Sequence, residues 1–197
     1  MKPFYGRYWE HEEELEDFSY KWPAIKKFIP QEKNIKLLDF GCGKGRIFGE
    51  MIKINPFMGA VGVDISEVAI KHMKKKFPKY TFLRISEGER LPFASNSFDF
   101  ITILDVVEHI YDTEITFKEL SRILKYGGKI LITVPYYGLI KNLIIAFIGF
   151  DTVYDPRSAH IRSYTKKSLL REIKSVNLSP VKFGYFGRFC FCIYVDC

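Results

Sequence analysis

The residues best placed to do chemistry begin with Asp39-Phe40-Gly41-Cys42-Gly43-Lys44-Gly45, a carboxylate set directly ahead of three glycines spaced by two. Glycines in such a turn let backbone approach a ligand closely, and an acid there suits a cationic or ammonium-bearing group while repelling phosphate. A dinucleotide fingerprint asks for Gly-x-Gly-x-x-Gly, but position 46 is Arg, and no phosphate-binding P-loop pattern passes through these residues. The expected ligand therefore lacks a phosphate chain. Asp64 stands 25 positions further on (64 − 39), at a strand end where a carboxylate can accept both hydroxyls of a ribose. Glu87, with Gly88 beside it, can accept a hydrogen bond from an exocyclic amine while Ile65 and its apolar neighbours sandwich a ring. Taken singly, Asp64 and Glu87 read as ordinary surface acids. The glycine turn changes that reading, because all three features fall on one edge of the fold.

A second group follows at Asp105-Val-Val-Glu108-His109. Read as the opening of a short helix, this spacing places Asp105, Glu108 and His109 on one face. His109 can then serve as a general base oriented by a carboxylate. Alternatively, Asp105, Glu108, His109 and the distant His160 can bind Mg²⁺ or Mn²⁺, or Glu108 and His109 simply brace the loop by hydrogen bonding. Spacing leaves all three readings open.

The elements that position these groups follow from apolar periodicity. Ile35–Phe40 predicts a strand running into the glycine turn, and Ile47–Ile54 resumes helical spacing. A second strand over Phe57–Val63 ends at Asp64, after which Ser66 and Glu67 open a helix with Lys71, Lys74, Lys75 and Lys76 on its outer face. Tyr80–Ile85 and Phe98–Leu104 predict two further buried strands. A helix is expected over Thr113–Lys125, stopped by Tyr126-Gly127-Gly128, and a fifth strand over Lys129–Val134. Strands alternating with helices imply a mainly parallel sheet covered on both faces. Glu10–Ile29 predicts an amphipathic helix in which Pro23 sits awkwardly. Leu139–Phe150 is an apolar segment, a helix is expected from Thr165, and Val181–Phe186 with Phe189–Val195 can close the sheet as an antiparallel hairpin.

Composition narrows the class. The 197 residues are 47% hydrophobic and 27% charged, which suits one soluble globular domain and excludes disordered or fibrous classes. The formal net charge of +7 favours anionic partners only mildly. Leu139–Phe150 falls short of the roughly 20 residues that span a bilayer, and the acidic run Glu12–Glu14 is unlike a secretory signal. A cytoplasmic protein is expected. Four cysteines without Cys-x-x-Cys spacing argue against a zinc site or disulfide framework, and Cys190 and Cys192 read as same-face strand residues.

Taken in order, Leu38–Gly45, Val63-Asp64-Ile65-Ser66, Leu91-Pro92-Phe93 with Ser97-Phe98-Asp99, Glu108-His109, and Leu124–Gly128 with Pro135 make the chain resemble the class I methyltransferases that use S-adenosylmethionine. The likeness is strong from Ile35 to Val134 and looser elsewhere, and is similar to the ubiquinone-biosynthesis O-methyltransferase group. It implies a Rossmann-like, doubly wound seven-stranded sheet of order 3-2-1-4-5-7-6 with the last strand antiparallel. It also implies one domain over 1–197: an N-terminal lid over 1–30, a cofactor core over 35–135, a substrate or lid insertion over 136–164 and a closing unit over 165–197. The resemblance carries Asp39 and the glycines onto the methionine part, Asp64 onto the ribose, and Glu87 with Gly88 onto the adenine, with Phe40, Cys42, Ile65, Leu104 and Asp105 completing the cofactor set. The family usually has Asp where this chain has Glu87. Similar Glu-His arrangements with a later His hold a metal in some ubiquinone-biosynthesis and small-RNA relatives.

For the acceptor, the resemblance places Tyr5, Tyr8, Trp9 and Leu139–Phe150 beside the catalytic edge, so an apolar or aromatic small molecule is expected. Arg162, in His160-Ile-Arg162-Ser-Tyr164-Thr165, is expected either to face a substrate anion or to hold a loop through carbonyls. Two alternatives share the cofactor. Lys71, Lys74, Lys75, Lys76, Lys79 and Arg84 can form a basic face for RNA, or the protein can bind the cofactor without turnover.

Overall fold

The computed structural model describes residues 18–56, 58–154, 160–176, 178–186 and 190–196. Tyr5, Tyr8 and Trp9, most of the proposed N-terminal lid, and Cys197 lie outside them. The described chain opens with helix α1 (Phe18–Ile25), which carries Pro23 within it and passes into a 3-10 turn at Lys26–Phe28. Then come β1 (Lys36–Phe40), α2 (Arg46–Ile54), β2 (Gly59–Asp64), α3 (Glu67–Lys76), β3 (Thr81–Arg84) and β4 (Phe98–Leu104). After a 3-10 turn at Val107–His109 follow α4 (Thr113–Ile123), β5 (Leu124–Pro135), α5 (Leu139–Ile148), the short α6 (Phe150–Val153), α7 (Lys166–Lys174), β6 (Ser179–Phe186) and β7 (Cys190–Asp196). This is an α/β Rossmann-like arrangement. The parallel strands run β3-β2-β1-β4-β5, and β7 adds to β5 and β6 to β7 in antiparallel fashion.

Strand alternation explains the two layers. Leu37 points to the face covered by α1, α2 and α3 with Phe48, Met51 and Met73, whereas Leu38 points to the face covered by α4 and α7 with Phe117, Leu120 and Leu169. Phe48 shows the packing quality: its ring meets Phe82 edge-on at 5.0 Å and Tyr80 at 5.4 Å. Burying such a ring is worth about 1.5–3 kcal/mol, so Phe48 anchors α2 firmly under the glycine turn. Helix starts follow their capping residues. Ser66 Oγ accepts the Ala69 N–H at 3.3 Å, Asp112 Oδ1 accepts that of Ile115 at 3.0 Å, and Thr165 forms a reciprocal capping box with Ser168.

Several expectations shift. Tyr126-Gly127-Gly128 does not end α4, which stops at Ile123. Instead these residues lie inside β5, where the register to β4 slips between Phe98 and Phe100 and Gly127 adopts φ +75°. The glycines serve a strand irregularity rather than a helix cap. β3 is a half-exposed edge strand, not a buried one, because no strand among the described residues pairs beyond it in the sheet order. Leu139–Phe150 resolves into α5 and the start of α6. Cys190 and Cys192 fall on β7, whose side chains are outside the described set.

Candidate functional site

The carboxyl ends of β1, β2 and β4 converge where the order reverses about β1, the position at which open α/β sheets bind ligands. Asp39 and Asp64 sit there, both buried. Between them the chain turns through Gly41, Gly43 and Gly45, all at positive φ. At Gly41, with φ +79°, a Cβ would lie 2.4 Å from Val106 Cγ2, so the turn after β1 is wedged against the turn after β4 and tolerates no side chain. At Gly45, with φ +78°, a Cβ would meet the Met73 sulfur at 2.2 Å, which lets α2 start against α3. Backbone bonds from Gly41 N and Cys42 N to Val63 O, at 2.8 and 3.0 Å, complete the clamp.

The two acids are held differently. Thr102 Oγ1 donates to Asp39 Oδ1 at 2.7 Å, yet burial dominates and pushes the Asp39 carboxyl up to about 7, with the nearby charge of Asp64 adding to the rise. Asp64 accepts the Gly43 N–H at 2.9 Å and the Ser66 N–H at 2.8 Å. Burial raises it as well, and these amides oppose the rise. An ionised carboxylate offers about four acceptor sites, so the two amides fix its orientation and leave capacity for hydroxyls. A buried acid raised by burial gains most from a cation placed beside it. A donor set of two such acids on an open glycine turn fits a sulfonium-bearing, ammonium-bearing nucleoside such as S-adenosylmethionine, and would reject a polyphosphate.

The rest of the expected cofactor set is distributed along the same edge. Phe40 and Cys42 are buried beneath the turn, and Ile65 and Leu104 are half-buried beside it. Glu87 is exposed and accepts the backbone N–H of Tyr111, while Gly88 has φ +75° with open space where a Cβ would be. Asp105 departs from the expectation. It is not on a helix with Glu108 and His109: its φ is +53°, outside the 3-10 turn, so the three side chains share no helical face. Lys21 of α1 binds its carboxylate at 2.6 Å, the Thr133 hydroxyl of β5 donates to its Oδ1 at 3.1 Å, and the Asp105 backbone N–H donates to that same hydroxyl oxygen at 3.0 Å. Asp105 is thereby removed from any metal set.

Glu108, His109 and His160 do converge, with one ligating atom of each within 4.8 Å of the others. Glu108 is 1% exposed, and neither of its oxygens reaches a hydrogen-bond partner in another residue. Burial, reinforced by the charge of Asp105, drives its carboxyl well above the usual range. His109 Nε2 lies 3.9 Å from Glu108 Oε1, and the two imidazole rings stand 4.9 Å apart. His160 keeps an exposed edge, yet partial desolvation by the surrounding groups lowers it to about 4, and the neighbouring His109 adds to the fall. The Glu108 carbonyl accepts the N–H groups of Ile161 and Arg162 at 3.1 and 3.2 Å, which brings the distant His160 to this turn.

Arg162 resolves its two readings in favour of the loop: its Nε donates to Ile110 O at 3.1 Å and its terminal nitrogen to Tyr111 O. The basic face is equally plain. Lys71 pairs with Glu67 at 2.8 Å, Arg84 approaches the same acid at 3.7 Å, and both line the outer side of α3 and β3. Sequence reasoning missed Lys21, Thr102, Val106 and Thr133. The two threonines carried a signal, since each is a polar residue inside an apolar run, Phe100–Leu104 and Ile130–Val134, and both are fully buried.

Comparison with known proteins agrees with this geometry. A family model described as a methyltransferase domain matches residues 38–132. A ubiquinone biosynthesis O-methyltransferase of Pelagibacter ubique is 32% identical over 157 residues, covering 76% of this chain and 63% of that protein. A ubiquinone/menaquinone biosynthesis C-methyltransferase of Geotalea daltonii is 30% identical over 136 residues, covering 64% of this chain and 57% of its own length. The chain thus spans somewhat over half the length of these curated relatives. Among solved structures, a SAM-dependent methyltransferase from Aquifex aeolicus superposes with a TM-score of 0.74 at 14% identity, covering 97% of both chains, a likeness of fold. With the glycine turn, the paired acids and the sheet order already in place, these matches mean that the chain belongs to the class I S-adenosylmethionine-dependent methyltransferases.

Proposed function

We propose that the protein transfers a methyl group from S-adenosylmethionine to an oxygen, nitrogen or carbon of an apolar or aromatic small molecule, and that residues 1–197 act as one methyltransferase unit. The observation that carries this reading is the pair of buried acids, Asp39 and Asp64, bracketing a turn whose Gly41 admits no side chain. S-adenosylmethionine, when bound, supplies a methyl already activated by its sulfonium. The chain's task is then alignment and exclusion of water. Asp39 with Gly41 and Gly43 takes the methionine part, Asp64 the ribose hydroxyls, and Glu87 with Gly88 the base, while Phe40, Cys42, Ile65 and Leu104 wall the crevice. Glu87 reaches further than an Asp would, in keeping with its side chain being anchored on the Tyr111 amide.

Glu108 and His109 are assigned to the acceptor's proton. A carboxyl held neutral with no hydrogen-bond partner in another residue is ready to donate to or accept from a group arriving beside it, and His109 sits within reach to share the load. Glu108, His109 and His160 also form the set that would hold a divalent ion. One carboxylate with two imidazoles suits Mn²⁺ better than Mg²⁺, which prefers oxygen ligands. The relatives' names support a quinone-like ring as acceptor. Tyr5, Tyr8 and Trp9 remain proposed as the apolar lid over it.

The test is transfer of labelled methyl from S-adenosylmethionine to hydroxylated aromatic probes and to a cell extract, with and without ribonuclease. Label that partitions into organic solvent and survives ribonuclease is the expected result. Ribonuclease-sensitive label would transfer the assignment to RNA, and cofactor binding without any product would leave a binding protein.

A further inference from the structure

Lysines are seldom buried without an anionic partner, and α1 buries one. Phe18, Lys21, Trp22 and Ile25 recur at three- and four-residue steps, which puts Lys21 on the face that α1 turns to the protein, 7% exposed. That face docks where the glycine turn ends: the guanidinium of Arg46, the first residue of α2, stands 4.4 Å from the Phe18 ring centroid. Lys21 meets its anion at Asp105, 2.6 Å away.

Asp105 is also where the backbone is unusual. Among the described residues Asn34, Asn96 and Asp105 are the non-glycine residues with positive φ. The two asparagines lie in exposed turns, whereas Asp105, at φ +53°, is half-buried at the end of β4. A residue with a Cβ keeps such a conformation only where its surroundings dictate it. Thr133 takes the Asp105 N–H on both its carbonyl and its hydroxyl oxygen, each at 3.0 Å, and that hydroxyl donates to Oδ1 at 3.1 Å. Lys21 holds the other oxygen, Oδ2. The effect reaches the next residue, because Val106 Cγ2 fills the space that a Cβ on Gly41 would need.

We propose that Lys21 is a positioning residue for the cofactor: from α1 it holds Asp105 in the left-handed conformation that seats Val106 against the glycine turn. The inference rests on the methyl-transfer reading, which supplies the cofactor, and adds a residue remote from the turn on which the shape of the turn depends. Without the ammonium, the Asp105 carboxylate keeps, among the described residues, only the Thr133 hydroxyl at Oδ1. Its side chain is 17% exposed, so water compensates it poorly, and the backbone relaxes towards ordinary φ and draws Val106 away from Gly41. The charge of Lys21 is also felt by Glu108 and His160, so conformation and charge have to be tested apart.

Glycine separates them, because it takes positive φ unaided and restores no charge. The experiment is calorimetry of adenosylhomocysteine binding to the full chain, its Lys21→Met variant, and two double variants, Lys21→Met with Asp105→Gly and Lys21→Met with Asp105→Ala. Each double variant removes both members of the ion pair, so neither leaves a partner stranded. Lys21→Met should bind at least about tenfold more weakly than the parent. Adding Asp105→Gly should recover at least about fivefold of that loss, and adding Asp105→Ala should recover none, since alanine avoids positive φ. Thermal unfolding checks that each variant is folded. Should Lys21→Met alone fail to fold, the two double variants still decide, glycine being expected to bind at least about fivefold more tightly than alanine. Parent-like affinity in Lys21→Met, or equal affinity in the two double variants, overturns the inference, because a lysine that only docks α1 or only tunes charge is indifferent to the backbone freedom of residue 105. A parent that binds no adenosylhomocysteine overturns the methyl-transfer reading and this inference with it, whereas equal double variants beside a binding parent strike this inference alone.

Discussion

The two ends of the crevice are built on opposite principles. At the β1–β2 end each buried acid is already engaged: Asp39 by the Thr102 hydroxyl, Asp64 by the amides of Gly43 and Ser66, with the turn between them locked on Val106 and Met73. At the β4–β5 end Glu108 is just as deeply buried, yet neither oxygen reaches another residue's donor. A preformed end binds a ligand without reorganisation, and an unsatisfied end stores a cost that an incoming group relieves. The difference suggests that the fold fixes the cofactor position in advance and leaves completion of the acceptor side to the substrate.

The strongest way to break this contrast is at the preformed end. Asp39→Ala should weaken adenosylhomocysteine binding at least about a hundredfold by calorimetry, whereas thermal stability should hold or rise, because a desolvated carboxyl has been removed. Unchanged affinity would end the assignment. At the other end Glu108→Gln and His109→Ala should each lower kcat by about 10²-fold or more with cofactor affinity unaltered, in keeping with proton handling. Repeating the assay with EDTA sharpens the comparison. Chelator-insensitive turnover in the parent assigns the Glu108, His109 and His160 cluster to proton transfer alone, and chelator loss restored by Mn²⁺ assigns it to a metal.

A pH series addresses the electrostatics of the preformed end. The Asp39 carboxyl titrates near 7 in the free protein, and a cationic ligand favours its charged form. Binding therefore releases a proton below that pH: affinity should fall about tenfold per pH unit on the acid side and level off above about 7, and Asp39→Asn should abolish the slope. The sign for stability is opposite to that of a salt-bridged acid. The folded state binds this proton more tightly than the unfolded chain does, so Asp39 costs stability progressively as pH rises from about 4 to about 7. The smallest effect is expected on the outer face of α3, where Lys71→Ala should leave melting temperature and methyl transfer unchanged, since the ion pair it forms with Glu67 is exposed on both sides. A loss of labelled product there would revive the RNA reading.

Local chemistry explains how much of this was readable beforehand. The glycine turn, Asp64 and the Ser66 cap announce themselves because their residue types are tied to backbone conformations within a few positions. Alternating strands and helices gave the Rossmann-like core for the same reason. What stayed hidden depends on partners remote in sequence. Lys21 meets Asp105 across 84 positions, and once Asp105 is held there with φ +53° the helical spacing read from Asp105 to His109 no longer applies. Tyr126-Gly127-Gly128 looks like a helix stop, and its second role as a strand irregularity appears only when β4 supplies the register. Arg162 carried two chemically sensible roles, and only the nearness of the Ile110 and Tyr111 carbonyls chooses between them.

The Lys21–Asp105 pair has one more consequence. Because α1 is tied to the turn after β4 by the largely water-free contact between Lys21 and Asp105, detaching that helix would break this ion pair, at a cost of up to about 3–5 kcal/mol. The opening segment is thus a latch whose release is uphill, and occupancy of the crevice beneath it should be legible from outside as slower cleavage by a protease acting on α1.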